Sequence, residues 1–213
     1  MLAILDYEAG NQTSVSRALS SMDIPNKITA SATDLDTASG VIFPGVGAAK
    51  QAMDLLCSRG LDRVMLDLVA RKKPLLGICL GCQIMLEHSE EGDTKTLGIF
   101  KGKSLRFAES LKEENGENIR IPHMGWNSAP RTKESRLFSG IPQNAEFYFV
   151  HSYYVAPEQS AVLAETTYGK TFCSAIGHDG LWAVQFHAEK SGKSGLKLLH
   201  NFYDYCREAS YAQ

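Results

Sequence analysis

Pro74-Leu-Leu-Gly-Ile-Cys-Leu-Gly-Cys-Gln83 is the segment of the chain that says most about its architecture. Its first half is an apolar run without polar alternation, which is typical of a central parallel strand covered on both faces. Beyond Cys79 the pattern changes to helical spacing through Ile84, Met85 and Leu86. A buried strand that leads directly into a helix predicts an α/β fold.

The rest of the chain extends this α/β pattern and then changes it. Apolar runs predict strands at 2–5 and 40–43, with helical spacing at 15–22 and 55–69. After about residue 97, short alternating segments predict hairpins instead, at 98–100, 104–107, 146–150 and 172–176. A closing helix is predicted around 196–205, an exposed loop at 112–118 and a frayed end at 211–213. We therefore expect a mixed, largely parallel central sheet flanked by helices.

Length and composition limit the classes of function. The chain has 213 residues, 44% of them hydrophobic and 22% charged, which predicts one globular domain spanning 1–213. With a formal net charge of -2, broad attraction to nucleic acid or to an anionic membrane is disfavoured. A small molecule or a protein partner is the expected ligand.

The amino terminus and the cysteines predict a compartment. Residues 1–6 carry no basic leader and reach a charge after a few apolar residues, so we expect neither a signal peptide nor a membrane span. The five cysteines are an odd number, which favours free thiols in a reducing compartment over a disulfide framework. The predicted location is cytoplasmic.

Cys79 is the candidate nucleophile. It lies between Gly77 and Gly81, at the point where the predicted strand turns into a helix, as in the nucleophile elbow of hydrolases. A helix start favours the thiolate over the thiol, and the thiolate is the reactive form. An inert buried cysteine is the alternative interpretation, and the two flanking glycines favour the nucleophile.

Cys79 and Cys82 also form a C-x-x-C pair. A structural zinc site needs two further ligands at close spacing, and the other cysteines stand alone, so no metal is expected. A thioredoxin-like redox couple begins a helix in the same way, and spacing alone leaves that alternative open.

The segment Gln185-Phe-His-Ala-Glu189 supplies the partners that a thiolate nucleophile needs. His187 follows an apolar run, where a strand would expose it at the sheet edge as a general base, and Glu189 lies two residues on to orient the imidazole. A surface histidine beside a solvated carboxylate is the alternative. The combination with Cys79 favours a catalytic triad.

The loop Pro44-Gly-Val-Gly47 follows another predicted strand. Its glycines would let backbone N–H groups turn toward a developing oxyanion, which a cysteine hydrolase must stabilise. A plain strand-to-helix turn explains the same residues equally well.

Three of these segments together, at 44–47, 77–83 and 185–191, resemble the class I glutamine amidotransferases in order and spacing. That resemblance implies a flavodoxin-like α/β fold. Three further segments, 6–11, 121–127 and 147–154, look like the glutaminase subunits of imidazole glycerol phosphate synthases, and the similarity spans nearly the whole chain. The glutaminase subunits of anthranilate and aminodeoxychorismate synthases are the alternative within the class, and a redox or binding module is the alternative outside it.

The resemblance implies a mechanism and assigns roles to individual residues. Cys79 attacks the side-chain amide of glutamine, His187 and Glu189 handle the proton, and no cofactor takes part. Backbone N–H groups hold the oxyanion, and other residues bind the substrate. The oxyanion donors are Leu80 and, after a local peptide rearrangement, Val46; the substrate residues are Gly47, Gln83, Glu91, His151, Ser152 and Tyr153.

The resemblance also implies a partner. The chain would form a heterodimer with a (β/α)8 cyclase subunit, which consumes the ammonia and switches glutaminase activity on. Asn11, Trp126 and Tyr148 are expected near the interface. Three positions depart from the family pattern: Glu8 stands in place of the usual glycine, Ala188 in place of the usual proline, and Cys82 where cysteine is unusual.

Overall fold

The computed structural model describes residues 1–8, 11–112, 116, 118–178 and 180–211. The helices are α1 Gln12–Ser20, α2 Ala32–Thr37, α3 Ala49–Ser58, α4 Leu61–Ala70, α5 Leu80–Ile84 and α6 Gly192–Tyr211. The strands are β1 Leu2–Leu5, β2 Asn26–Thr29, β3 Gly40–Gly45, β4 Leu75–Cys79, β5 His88–Ser89, β6 Thr94–Lys95, β7 Gly102–Arg106, β8 His123–Ser128, β9 Glu146–His151, β10 Tyr153–Pro157, β11 Val162–Thr167, β12 Thr171–His178 and β13 Leu181–Val184. Short 3-10 helices span Arg136–Phe138, Gln159–Ala161 and Ala188–Lys190.

Over the described ranges, the main sheet has the strand order β2-β1-β3-β4-β13-β12-β10-β7-β5-β6, and β11 also pairs with β12. The strands from β2 to β13 in this order run parallel. Beyond β13 the pairs are antiparallel, apart from the parallel pair β5–β7. Strands β8 and β9 form a separate antiparallel ribbon. The predicted mixed, largely parallel sheet is confirmed.

Alternating residues of the parallel strands supply two buried layers. Leu76 and Ile78 of β4 pack into the same cluster as side chains of α1 and α6, whereas Leu75 packs with side chains of α3 and α4. This follows from the period of two along a strand, and it explains why β4 is apolar at successive positions. Strand β4 therefore lies inside the sheet, between β3 and β13, with Cys79 at its carboxyl end.

Two of the predicted elements are wrong. Residues 55–69 do not form one helix, because Gly60 adopts a left-handed φ of 66° between α3 and α4. No strand forms at 98–100, where buried Phe100 is held instead by a backbone hydrogen bond to the carbonyl of Met85. The predicted exposed loop at 112–118 and the predicted frayed end at 211–213 lie largely outside the described residues.

Candidate active site

Cys79 occupies the sharp turn that the sequence predicts between β4 and α5. Its φ of 54° and ψ of -110° are strained for a residue with a side chain, at a cost of about 1–3 kcal/mol. The flanking glycines make the turn sterically feasible: a Cβ at Gly81 would lie 2.0 Å from the carbonyl oxygen of Phe43, and one at Gly77 would lie 2.6 Å from the sulfur of Met85. The turn holds the thiol at the carboxyl edge of the sheet.

His187 and Glu189 form a buried ion pair in the segment after β13. The Nδ1 of His187 lies 2.7 Å from Oε1 of Glu189, and the two side chains are 1% and 0% exposed. The expectation that His187 would be exposed at the sheet edge is therefore wrong, because the chain turns inward into the 3-10 helix Ala188–Lys190. The carboxylate holds the proton on Nδ1, while Nε2 is buried and has no hydrogen-bond partner among the described residues.

Charges around this pair shift both pKa values. Burial alone would lower the pKa of His187, but the neighbouring Cys79 and Glu189 outweigh burial and raise it to about 10. Burial alone would raise the pKa of Glu189, but His187 and the hydrogen bond from Asn11 hold it below its usual range. The arrangement therefore favours an imidazolium at His187 beside the carboxylate of Glu189.

Asn11 contacts the carboxylate of the pair. Its Nδ2 donates to Oε1 of Glu189 at 2.6 Å and lies 3.3 Å from Nδ1 of His187. Asn11 precedes α1 with a φ of 70°, and its side chain makes no helix-capping hydrogen bond. Sequence reasoning assigned Asn11 only to an interface; no local pattern indicates a contact across 178 positions. Ala9 and Gly10, in the same segment, lie outside the described residues.

A cavity of about 320 Å³ brings the other predicted residues together. Cys79 and His187 both line it. So do all of the residues predicted to bind the oxyanion or the substrate, namely Val46, Gly47, Leu80, Gln83, Glu91, His151, Ser152 and Tyr153. A larger cleft of about 560 Å³ lies between α6 and the segment 134–139, but its lining consists of charged and polar side chains without a cysteine or histidine. The smaller cavity is therefore the candidate active site.

The loop 44–47 has one fixed half and one open half. The hydroxyl of Tyr7 donates to the carbonyl of Pro44 at 3.0 Å, and a Cβ at Gly45 would lie 2.4 Å from that hydroxyl. In contrast, Gly47 has a φ of 91° and open space where a Cβ would stand. Open space therefore lies beside Gly47, whereas Pro44 is held by Tyr7.

The ribbon β8–β9 presents an apolar face to solvent. Met124 is 61% and Trp126 is 54% exposed, and Trp126 is paired with Tyr148 across the ribbon with an edge-on ring contact at 6.1 Å. The same ribbon supports the candidate triad, because the carbonyl of Tyr148 accepts a hydrogen bond from the N–H of His187. Trp126 and Tyr148 thus lie together, whereas the side chain of Asn11 contacts Glu189 and His187.

Cys82 has the properties of a packed thiol. It is fully buried on α5, and burial raises its pKa well above the ordinary value, which weakens it as a redox partner. All five cysteines are free. Within the ranges that the structure covers, no group of three or more His, Cys, Asp or Glu side chains could hold a metal ion.

The other two departures have local explanations. Glu8 adopts a φ of 69°, a conformation suited to glycine, and its carboxylate pairs with Arg59 at 3.2 Å. Ala188 is fully buried and begins the 3-10 helix after His187.

The family model for glutamine amidotransferase class-I matches residues 3–206. The chain belongs to the class I glutamine amidotransferases. Over their whole lengths, the chain is 58% identical to the imidazole glycerol phosphate synthase subunit HisH of Maridesulfovibrio salexigens and 60% identical to that of Nitratidesulfovibrio vulgaris strain Miyazaki F. The predicted resemblance to the glutaminase subunits of these synthases is confirmed.

Solved structures agree on the fold. A crystal structure of a glutamine amidotransferase matches with a TM-score of 0.74 and 17% identity, covering 97% of this chain and 98% of that one. The structure of PurLQS from Thermotoga maritima matches with a TM-score of 0.69 and 15% identity, covering 96% of this chain and 97% of that one. In the part of the chain that the structure describes, no helix is long and apolar enough to span a membrane.

Proposed function

We propose that this glutamine amidotransferase hydrolyses glutamine with Cys79, His187 and Glu189, and passes the ammonia to a cyclase subunit in histidine biosynthesis. That subunit would use the ammonia to make imidazole glycerol phosphate and aminoimidazole carboxamide ribotide. The observation that carries the proposal is the convergence of Cys79 and His187 on one cavity, with Glu189 bonded to the far side of the imidazole. The name of the relatives, a subunit of imidazole glycerol phosphate synthase, supports a partner.

The first half of the reaction is an acyl transfer. The Cys79 thiolate attacks the side-chain amide carbon of glutamine, and the negative charge moves to the amide oxygen. Backbone N–H groups of Leu80 and Val46 hold that oxyanion; Leu80 begins α5, and Val46 lies in the open half of its loop. The Nε2 of His187 donates its proton to the departing nitrogen, which leaves ammonia and a glutamyl thioester on Cys79.

The second half is hydrolysis of the thioester. Neutral His187 takes a proton from a water molecule, the water oxygen attacks the thioester carbon, and the C–S bond breaks to release glutamate. Glu189 keeps the imidazole in the required tautomer, and Asn11 keeps Glu189 in place through its 2.6 Å hydrogen bond.

Polar groups around the cavity account for selection of an amino acid. The Glu91 carboxylate, fixed by the N–H of Ala49 at 2.7 Å, provides the charge for the substrate ammonium group. Gly47, Gln83 and the segment 151–153 complete the substrate site. Gln83 is held by its donation to the carbonyl of Tyr153 at 2.9 Å.

Escape of ammonia explains why the enzyme needs a partner, since released ammonia is protonated and lost as a nucleophile. We propose a heterodimer with a (β/α)8 cyclase in the cytoplasm, with the chain acting as one domain over 1–213. The exposed Met124 and Trp126, together with Tyr148, supply an apolar face for docking close to His187.

The test mixes the protein with glutamine, a cyclase subunit and its ribonucleotide substrate, and measures glutamate release for the wild type and Cys79→Ala. We expect release that requires both Cys79 and the cyclase. Release that depends on Cys79 but is unaffected by the cyclase would assign the enzyme to another synthase. Absence of release under all conditions would contradict glutamine hydrolysis.

A further inference from the structure

Two buried histidines, His123 and His151, lie side by side at the substrate cavity; His151 lines the cavity, and His123 has no role in the chemistry above. The Nδ1 of His123 lies 3.0 Å from Nε2 of His151, and the side chains are 2% and 5% exposed. The two rings belong to a longer series of hydrogen bonds, which continues to Tyr153 on one side and to Asn127 on the other. The Nδ1 of His151 lies 2.7 Å from the carbonyl oxygen of Tyr153, and Nε2 of His123 lies 3.3 Å from Nδ2 of Asn127.

At the Tyr153 end of this series of hydrogen bonds, the contact determines which nitrogen of His151 is protonated. A backbone carbonyl can only accept a hydrogen bond, so the Nδ1 of His151 that faces it must carry a proton. In a neutral imidazole the other nitrogen is then an acceptor. The Nε2 of His151 therefore requires a donor, and the atom that faces it is Nδ1 of His123.

The Asn127 end fixes the same direction independently. The Oδ1 of Asn127 accepts from the backbone N–H of Ser128, and its Nδ2 donates to the carbonyl of Thr167, both at 2.9 Å. These two contacts determine which atom of the amide is nitrogen. The remaining N–H of Asn127 faces Nε2 of His123, which must be an acceptor, so the proton of His123 lies on Nδ1. Both ends thus give one direction of donation.

An extra proton on either ring would disrupt this series of hydrogen bonds, because the new N–H would face another N–H donor. On His151 the proton would face the N–H of His123, and on His123 it would face the amide N–H of Asn127. Burial acts in the same sense: it lowers the pKa of His123 to about 4, and burial with the nearby His123 and His187 lowers that of His151 to about 3. The pair is therefore neutral and has one tautomer.

From the carbonyl of Tyr153, further hydrogen bonds lead through two glutamine side chains to Cys79. The carbonyl of Tyr153 accepts from Gln83 as well as from His151, and the same Nε2 of Gln83 lies 3.2 Å from Oε1 of Gln185. That leaves Nε2 of Gln185 directed at the sulfur of Cys79, at 4.0 Å. The orientation of two buried amides beside the nucleophile thus depends on the carbonyl that His151 anchors.

The Asn127 end of the series of hydrogen bonds lies on the ribbon β8–β9, which has the exposed apolar face. Successive side chains of a strand point to opposite faces, so His123 and Asn127 point inward while Met124 and Trp126 point to solvent. A partner that contacts Met124 and Trp126 therefore binds the strand that carries the donor to His151.

We propose that His123 is a positioning residue for glutamine hydrolysis, which donates from Nδ1 to hold His151, and through it the Tyr153 carbonyl and Gln83, in the geometry that the substrate requires. This role rests on the function proposed above. It does not make His123 a catalytic residue, because its contacts are to other side chains and not to the cavity.

The first test reads the tautomers without any turnover. Nitrogen-15 NMR of the histidine side chains in the wild-type protein should show both rings neutral, with Nδ1 protonated and Nε2 bare, from about pH 6 to about pH 8. A proton on Nε2 of His151, or a charged ring at neutral pH, would overturn the proposal whatever the activity of the enzyme. This result is independent of whether any substituted protein folds.

The second test separates hydrogen bonding from packing. His123 stacks between Phe149 and Tyr168, with ring centroids at 4.8 and 4.0 Å. His123→Phe keeps an aromatic ring and removes the donor, whereas His123→Asn removes the ring and keeps an N–H near the position of Nδ1.

Steady-state kinetics in the cyclase complex should show that His123→Phe loses roughly tenfold in kcat/KM, mainly through KM, while His123→Asn stays within about threefold of the wild type. A residue that served only to pack the core would give the opposite order, and that order would overturn the proposal. A wild-type complex without glutaminase activity would instead contradict the proposed function, and the NMR result would still report on the chain itself.

Discussion

Two buried pairs that contain histidine, His187–Glu189 and His123–His151, have opposite pKa shifts. His187 is hydrogen-bonded to Glu189 beside Cys79, and its pKa is raised to about 10. His123 and His151 are similarly buried, yet the pKa of each is lowered, to about 4 and about 3. Burial acts in the same direction in both pairs, since it always disfavours the charged ring. The difference comes from the neighbours: Cys79 and the carboxylate of Glu189 lie beside His187, whereas amides, carbonyls and other imidazole rings lie beside His123 and His151.

This comparison separates two uses of histidine in one site. A ring beside anions can hold and release a proton, as a general acid and base requires. A ring between a carbonyl and a neutral donor keeps its proton on one nitrogen. Such a ring donates one hydrogen bond and accepts another, and so it fixes the orientation of the groups on either side. Substituting the neighbouring groups should therefore shift the pKa of the histidine in each pair in a predictable direction.

The largest effect is expected from Cys79→Ala, which removes the proposed nucleophile and one of the groups that raise the pKa of His187. Glutamate release should fall by at least about 10³-fold. The pKa of His187 should also fall from about 10, because Cys79 is one of the groups that raise it. Glutaminase assays and NMR titration of His187 measure the two effects.

Cys57→Ala is the matched control, since Cys57 is exposed on α3 and should leave both quantities unchanged. If the His187 titration were the same in Cys79→Ala as in the wild type, the electrostatic link between nucleophile and base would be wrong.

Glu189→Gln removes the carboxylate beside His187 and keeps the shape of the side chain. We expect kcat to fall by about 10²-fold, because the imidazole loses the charge that stabilises its protonated form. The pKa of His187 should again move down. The exposed Glu146 on β9 offers the control, and Glu146→Gln should behave as the wild type does in the same assay.

The same substitution has a pH signature in stability. The pKa of Glu189 is held below its ordinary value of 4.5, so its carboxylate stabilises the fold above that pH, and the stabilisation is lost as pH falls through the lowered value. Urea unfolding at neutral pH should show Glu189→Gln less stable than the wild type by about 2 kcal/mol. The gap should close in acid; a gap that widened in acid would mean that the sign of the shift is wrong.

Asn11→Ala tests whether the His187–Glu189 pair depends on the hydrogen bond that Asn11 donates to Glu189. Without the N–H donor at 2.6 Å, the carboxylate of Glu189 loses a hydrogen bond that both orients it and lowers its pKa. A loss of roughly tenfold in kcat with little change in KM is expected in the cyclase complex. Asn144→Ala, in an exposed turn, is the control. Equal rates for the two variants would show that Glu189 is held adequately without Asn11.

The sequence was sufficient to predict features encoded by neighbouring residues. The elbow at Cys79 follows from an apolar run that ends between two glycines, and the structure shows which atoms those glycines avoid. Strand β2 was missed because it lies at the sheet edge and two of its side chains are exposed, so it lacks an apolar pattern. The break at Gly60 had a local signal, a glycine within a helical pattern, that periodicity outweighed.

Contacts between distant residues could not be predicted in this way. Asn11 meets Glu189 across 178 positions, and His123 meets His151 across 28, on adjacent strands whose register no pattern specifies. The resemblance to a family supplied the cavity residues, but it gave no reason for His187 and His151 to differ in charge. That difference depends on which polar atoms the fold brings against each ring.

The smallest effect on activity, and the most direct test of the comparison, is expected from Asn127→Asp. The substitution exchanges the neutral donor beside His123 for a carboxylate of nearly the same shape, so the neutral pair gains the kind of neighbour that His187 has. The pKa of His123 should rise above about 4, since an opposite charge within hydrogen-bond distance favours the imidazolium. Glutaminase activity should change by only about threefold near neutral pH, with Asn144→Asp as the control. NMR titration decides the outcome: if His123 kept its low pKa beside a carboxylate, burial and not the neighbouring group would control the pKa of His123.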